Sequence, residues 1–250
     1  MAAGRLYDMH CHCSELGLGE LERVLDSTPG LVVVAVSEDP ESLAETLELA
    51  RSLPGRLVPC AGFHPWVIGE KPLSGLDEVL RAAYRHGVAC LGEVGLDRKF
   101  VPHTWHVQLK VFQAVLRAAG ELDALVNIHS PGAWREALAL LLEHNVERAM
   151  FHWYTGPQDL IPAIGEAGYK ISINAALKIQ RKHQAIARAA PLDYIVTESD
   201  GPYNYRGLKL SPAMIPETIN IIAKLKDTTP EAVEEAARRN AEKLLAASKP

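Results

Sequence analysis

The chain predicts a parallel α/β barrel, the (β/α)8 or TIM-barrel class. Short apolar runs recur along its 250 residues with helix-patterned segments between them. Eight such runs are present, the number that closes a barrel. Five of them finish in residue types that hold metal ions, as expected where all C-terminal strand ends meet on one face. The length is that of one barrel, and no linker, low-complexity tract or charged tail interrupts it, so residues 1–250 are expected to form a single domain.

Residues 6–12 (LYDMHCH) form the first strand. Residues i and i+2 of a strand share a face, so His10 and His12 can share an ion while Cys11 and Cys13 point away. The second strand, 31–37, is nearly all apolar (LVVVAV), as a parallel strand covered by helices should be. Asp39-Pro40-Glu41 then reads as a helix cap with proline in the first turn, followed by Leu43, Leu47, Ala50 and Leu53 on one face. Strands follow at 57–63 and 88–94, the latter carrying Glu93 inside an apolar run. A long helix over 104–121 turns Leu109, Phe112 and Leu116 inward. The fifth strand, 124–129, ends in His129, and Ser130-Pro131 reads as the cap and first turn of the next helix. Strands at 148–153, 169–174 and 194–198 complete the set, with His152 in the sixth and Asp200 just past the eighth. Ser211-Pro212 and Thr229-Pro230 open the last two helices; Val233, Ala236, Ala237, Ala241, Leu244 and Leu245 stripe the final one.

Composition narrows the partners. With 48% hydrophobic and 23% charged residues the chain is an ordinary globular one, and its net charge of −5 gives no global attraction to nucleic acid or to an anionic membrane. A local basic patch can still dominate at a cleft. No apolar stretch approaches the roughly 20 residues that span a bilayer, and MAAGRLYD runs straight into the first strand without a signal peptide. The four cysteines, Cys11, Cys13, Cys60 and Cys90, lack the spacing of a zinc finger and read as small buried hydrophobes in a reducing cytoplasm.

His10, His12, Glu93, His129, His152 and Asp200 are more donors than one tetrahedral ion needs. They suit two divalent ions sharing a carboxylate: His10, His12, Glu93 and Asp200 on one, Glu93, His129 and His152 on the other, with Asp200 also accepting a proton from the attacking water. Zinc, manganese or iron would suit the imidazoles, and magnesium the carboxylates. His86, His106, His144 and His183 fall in helices and are expected on solvated faces. Basic residues follow three strands: Arg98 and Lys99; Lys178, Arg181 and Lys182; Arg206 and Lys209. They would make a basic mouth, although 178–182 also fits a plain solvated helix face. Trp66, Trp153 and Tyr203 sit beside the site motifs, where stacking on bases and packing on loops are both open.

Read in order, Asp8-x-His-x-His, GFHPW at 62–66, GEVGLD at 92–97, Ile128-His129-Ser130, FHWYTG at 151–156, TESDGPY at 197–203 and Asn240-Ala241-x-x-Leu244 resemble the TatD family of metal-dependent hydrolases over nearly the whole chain. The resemblance implies a TIM barrel of the amidohydrolase type, a divalent-metal site made by the six residues above, and phosphodiester hydrolysis, commonly on DNA. It places His64 near the substrate phosphate. Two positions depart from the family pattern. Pro131 stands where an arginine is usual, a contact that Arg135 is one candidate to replace, and Arg98-Lys99-Phe100 follows GLD where an aromatic often does.

The expected protein is therefore a cytoplasmic, monomeric hydrolase with two divalent ions (Zn, Mn or Mg). Glu93 and Asp200 serve catalysis, and His64, Arg98 and Lys178 contact a DNA substrate. An amidohydrolase acting on a small amide, lactone or phosphoester is the enzyme alternative. A barrel kept as a binding module is the non-enzyme one.

Overall fold

The computed structural model describes residues 5–246. All eight expected strands are present: β1 (Leu6–Cys11), β2 (Leu31–Ala35), β3 (Leu57–Pro59), β4 (Cys90–Gly95), β5 (Leu125–His129), β6 (Ala149–Phe151), β7 (Lys170–Ile173) and β8 (Ile195–Thr197). They pair in parallel as two arcs, β1-β2-β3 and β4 through β8. Ala61 joins the arcs: its N–H donates to Cys90 O at 2.9 Å and its carbonyl accepts from Gly92 N at 2.8 Å. The circle closes at the other side through Thr197 Oγ1 donating to Tyr7 O at 2.7 Å and Asp200 N donating to His10 O at 2.9 Å.

The helices that cover this circle are α1 (Cys13–Leu16), α2 (Leu18–Ser27), α3 (Pro40–Ser52), α4 (Ser74–His86), α5 (Trp105–Leu122), α6 (Trp134–Glu143), α7 (Ile161–Glu166), α8 (Arg181–Ala189), α9 (Ile215–Leu225) and α10 (Pro230–Leu245). The Asp39 cap forms as a reciprocal box, Ser42 N to Asp39 Oδ1 at 2.8 Å and Asp39 N to Ser42 Oγ at 3.1 Å, a device worth about 1 kcal/mol. α5 buries Val111, Phe112, Val115 and Leu116, each contributing roughly 1.5–3 kcal/mol. Alternation along β2 separates two cores. Leu31, Val33 and Ala35 join the helix-facing layer, while Val32 and Val34 join Tyr7, Met9, Leu125, Met150 and Val196 inside the barrel. α10 lends Ala241 and Leu244 to that inner group.

Three local expectations are corrected. Ser130-Pro131 does not cap a helix: a turn intervenes with Gly132 at φ +76°, and α6 starts only at Trp134. His183 is buried, not solvated. Cys60 and Cys90 are disulfide-bonded across the β3–β4 seam, leaving Cys11 and Cys13 as buried thiols among the described residues. The argument for a reducing compartment thus loses half of its thiols.

Candidate metal centre and substrate cleft

Topology brings the strand ends together, and two glycines let the backbones approach. A Cβ at Gly62 would lie 2.0 Å from Ser37 O and 2.3 Å from Glu93 N, and one at Gly95 would lie 2.0 Å from His129 O. No side chain fits either place, so the glycines of GFH and GEVG set how closely β4 packs on its neighbours. On β1 the register against β2 shifts between Asp8 and Cys11. There Asp8 Oδ1 accepts from His10 N at 3.2 Å and Ser199 N at 2.7 Å, tying the histidine strand to the end of β8.

All six sequence-proposed donors converge. His10 Nε2 and His12 Nε2 lie 3.4 Å apart; Glu93 Oε2 is 3.4 and 3.6 Å from them, and Asp200 Oδ1 3.6 and 3.3 Å. A tetrahedral shell about 2.1 Å from its centre spaces its corners about 3.4 Å apart, so His10, His12 and Asp200 have the spacing of donors to one ion, with Glu93 Oε2 at a similar distance from both imidazoles. The other oxygen, Glu93 Oε1, faces a second group: His129 Nδ1 at 2.7 Å, His64 Nε2 at 3.3 Å and His152 Nε2 at 3.9 Å. One buried carboxylate thus turns an oxygen to each of two imidazole clusters.

The remaining ring nitrogens are held by partners that the sequence reading did not assign. His10 Nδ1 meets Asn127 Oδ1 at 2.9 Å, and an amide oxygen only accepts, so Nδ1 carries the proton and Nε2 is free. His152 Nδ1 donates to Glu198 Oε2 at 2.9 Å in the same way, and His129 Nε2 donates to Asp97 Oδ2 at 2.9 Å. Such contacts fix tautomer and ring orientation in metal sites. The signal was present in GLD and TESD, but a carboxylate that supports a candidate donor cannot be told from the donor by sequence. His64 differs: its Nδ1 accepts from Trp66 N at 3.1 Å, which leaves Nε2–H as a donor toward Glu93.

Electrostatics match a site that demands positive charge. Burial works against a charged His12, yet Asp200, Glu93 and Glu38 outweigh it and push its pKa up to about 10. Burial likewise opposes charge on His152, and Glu198, Asp200 and Glu93 raise it to about 9. Glu93 is driven well below the usual range, burial being overcome by His64, His10 and His152. Asp97 and Glu198 fall to about 2, in each case against the cost of burial, through His129 and Trp66 for the first and His152 for the second. His183 stands apart: burial lowers it to about 4, and it accepts from Asn174 N through Nε2 at 3.1 Å.

The strand ends form the floor of a cleft of about 840 Å³. Its walls are loops. Trp153 adopts φ +38°, a strained conformation for a bulky residue, held by its N–H donating to Ser172 Oγ at 2.9 Å and Glu198 Oε1 at 3.0 Å. A hairpin that sequence reading missed, β9 (Asn204–Tyr205) and β10 (Leu208–Lys209), brings Tyr203, Tyr205 and Arg206 to the rim. Its signal was Arg206-Gly207, both at positive φ, as a two-residue hairpin turn needs. Of the expected basic mouth, Lys99, Lys182 and Arg206 line the cleft. Arg98 and Lys178 do not: Arg98 pairs with Glu136 at 2.6 Å and stacks on Trp105, and Lys178 pairs with Glu217 at 2.8 Å. Arg135 pairs with Asp159 at 2.6 Å and is likewise absent from the lining.

Residues 7–246 match the family model described as TatD related DNase. The chain belongs to that family. It is thereby a hydrolase of the metal-dependent type. Human deoxyribonuclease TATDN3 is 29% identical, over 96% of this chain and 94% of that protein. The metal-dependent hydrolase YcfH of Escherichia coli K12 is 28% identical, over 93% and 91%. Among solved structures, the TatD homologue YJJV of E. coli K12 superposes with a TM-score of 0.86 at 22% identity, covering 96% of this chain and 97% of that one, which shows the barrel. Among the described residues no helix is long and apolar enough to cross a membrane.

Proposed function

We propose that this TatD-family chain hydrolyses phosphodiester bonds, in DNA, at two divalent ions that share Glu93. The observation that carries the reading is the Glu93 carboxylate, with Oε2 facing His10 and His12 and Oε1 facing His64, His129 and His152. His10, His12, Glu93 and Asp200 would hold one ion; Glu93, His129 and His152 the other. Bound there, the ions would supply a water of lowered pKa and neutralise charge on the phosphoryl oxygens. Asp200, 6% exposed at the cleft floor, is the proton acceptor for the attacking water. His64, whose Nε2–H faces Glu93 Oε1 in the free protein, would turn it to a phosphoryl oxygen, burial lowering the pKa of its ring. Asn127, Glu198 and Asp97 orient the three ligand imidazoles. The donor set accommodates zinc, manganese or magnesium. On this reading the chain acts as one domain and one monomer.

DNA is favoured over a small neutral substrate by the three cations on the rim. Lys99, Lys182 and Arg206 line the cleft without a carboxylate partner among the described residues; of the cations that do not line it, Arg98, Arg135 and Lys178 are ion-paired. The test is hydrolysis of single-stranded and duplex oligonucleotides and of bis(p-nitrophenyl) phosphate by chelator-treated protein reloaded with each metal. Metal-dependent cleavage of all or some of these is expected. Fully loaded protein that cleaves none of them, but opens an amide or lactone, would overturn the reading.

A further inference from the structure

One wall of the cleft holds a group that the metal centre does not use. Ser130 follows His129, is 2% exposed and lines the cleft, yet its Oγ has no hydrogen-bond partner among the described residues. Buried hydroxyls are nearly always paired, so an orphan beside a cleft points to something that enters. The Pro131–Gly132 turn that follows packs against the segment after β4, with an added Cβ at Gly132 only 3.7 Å from Lys99 Cβ. Lys99 and Lys182 reach the same cleft. Lys99 Nζ lies 4.6 Å from the Phe100 ring centroid and Lys182 Nζ 5.4 Å from that of Trp134, the first residue of α6. A ring orients an ammonium but leaves its charge in place.

We propose that Lys99, Lys182 and the Ser130 hydroxyl form a subsite for a phosphate of the substrate next to the one being cleaved. Two ammonium groups and a hydroxyl supply the charge and donors that a phosphodiester oxygen pair accepts. Neither amine ion-pairs with Glu93, Asp97 or Asp200 among the described residues; those carboxylates face imidazoles and, for Asp97, also Trp66 Nε1 and the backbone N–H groups of Lys99 and Phe100, which leaves both amines for a phosphate beside the one over Glu93. The part of the lining beside His12, at Glu15 and Glu38, is acidic and repels the same group. The subsite therefore lies to the β4, β5 and β7 side of the metal centre.

This inference rests on the phosphodiester reading, and the experiment separates the two. Metal-loaded protein is titrated with a dye-labelled phosphorothioate oligothymidylate, which resists turnover, across a range of salt. Lys99→Ala and Lys182→Ala should each weaken binding about tenfold and flatten the log–log salt slope by about 0.7, the counterion release of one contact to a single strand. Ser130→Ala should weaken binding without lowering the melting temperature, because the methyl group replaces an unpartnered hydroxyl. A parent that binds and cleaves oligonucleotide while both lysine variants keep its affinity and slope overturns the subsite. So does Ser130→Ala lowering the melting temperature with binding unchanged, which would make the hydroxyl structural. A metal-loaded parent that neither binds the oligothymidylate nor cleaves bis(p-nitrophenyl) phosphate removes the phosphodiester reading itself.

Discussion

The floor of the cleft and its rim are built by different means. On the floor, imidazoles leave strand ends and are locked by a second contact, His10 on Asn127, His129 on Asp97, His152 on Glu198. On the rim, side chains leave loops and helix ends, and a carboxylate from another helix holds some of the cations, Arg98 and Lys178 among them, out of the cleft. Lys178 and Lys182 are four residues apart on adjoining segments, yet one pairs with Glu217 and the other points into the cleft. Floor substitutions should therefore act on metal and turnover, rim substitutions on binding and its salt dependence. Mixed effects would break that division.

Glu93→Gln should have the largest effect. A neutral amide carries no negative charge and cannot bridge two cations as a carboxylate does, so both groups should lose their ion together, and turnover should fall below that of any other single variant. Elemental analysis of the purified variant is the check; loss of one ion with the other retained would show that Glu93 belongs to a single site. Asp200→Asn keeps the imidazoles and removes the proton acceptor, so turnover should drop by about 10²–10⁴-fold with the second ion still bound. Near-normal turnover by a fully loaded variant would move the base elsewhere.

The floor was legible in the sequence for a physical reason. A parallel barrel puts every strand's C-terminal end on one face, so naming the strands already named the converging residues, and all six converge. The supporting layer was not legible, because Asp97 and Glu198 sit as close to Glu93 and Asp200 along the chain as another converging donor would. Cys60 and Cys90 were misread because inward-facing residues on neighbouring strands meet without any spacing rule that marks them. Ser130-Pro131 was misread because a Ser-Pro pair caps a helix only if the next residue turns helical, and Gly132 takes φ +76° instead. Arg98 and Lys178 were misplaced since Glu136 and Glu217 come from other helices.

Glu198→Gln tests the supporting layer. Its carboxylate holds His152 Nδ1 and the strained Trp153 N–H, so ion affinity should weaken by about 10–100-fold, less than for Glu93→Gln. Isothermal titration with the metal reads it directly, and unchanged affinity would make Glu198 a structural anchor only. A related test removes the metal. The pKa of His12 is raised from 6.5 to about 10 and that of His152 from 6.5 to about 9 by the facing carboxylates, against the cost of burial. Groups raised in the folded state stabilise it fully below the unfolded value, near 6.5, and lose that contribution as pH rises through the folded one. Metal-free protein should therefore lose stability between about pH 6.5 and 10 in chemical denaturation. Bound divalent ion should abolish this trend, because the imidazoles are then held deprotonated. A metal-free protein whose stability is flat over that window would mean that the carboxylates do not act on these rings.

The smallest effect belongs to the cations that the structure turns away from the cleft. Arg98→Ala and Lys178→Ala break exposed ion pairs with Glu136 and Glu217, and such surface changes are usually worth within about 0.5 kcal/mol. Oligonucleotide affinity should stay within about twofold of the parent, and the log–log salt slope should not move, because neither cation reaches a phosphate. Arg206→Ala supplies the contrast among the residues that line the cleft. Its guanidinium lies 5.4 Å from the Tyr205 ring centroid and lines the cleft, so its loss should flatten the slope by about 0.7. A Lys178→Ala protein that loses as much slope as Arg206→Ala would mean that the Glu217 pair opens when substrate binds. The rim would then be set by the substrate, and the distinction between paired and unpaired cations would hold only for the free enzyme.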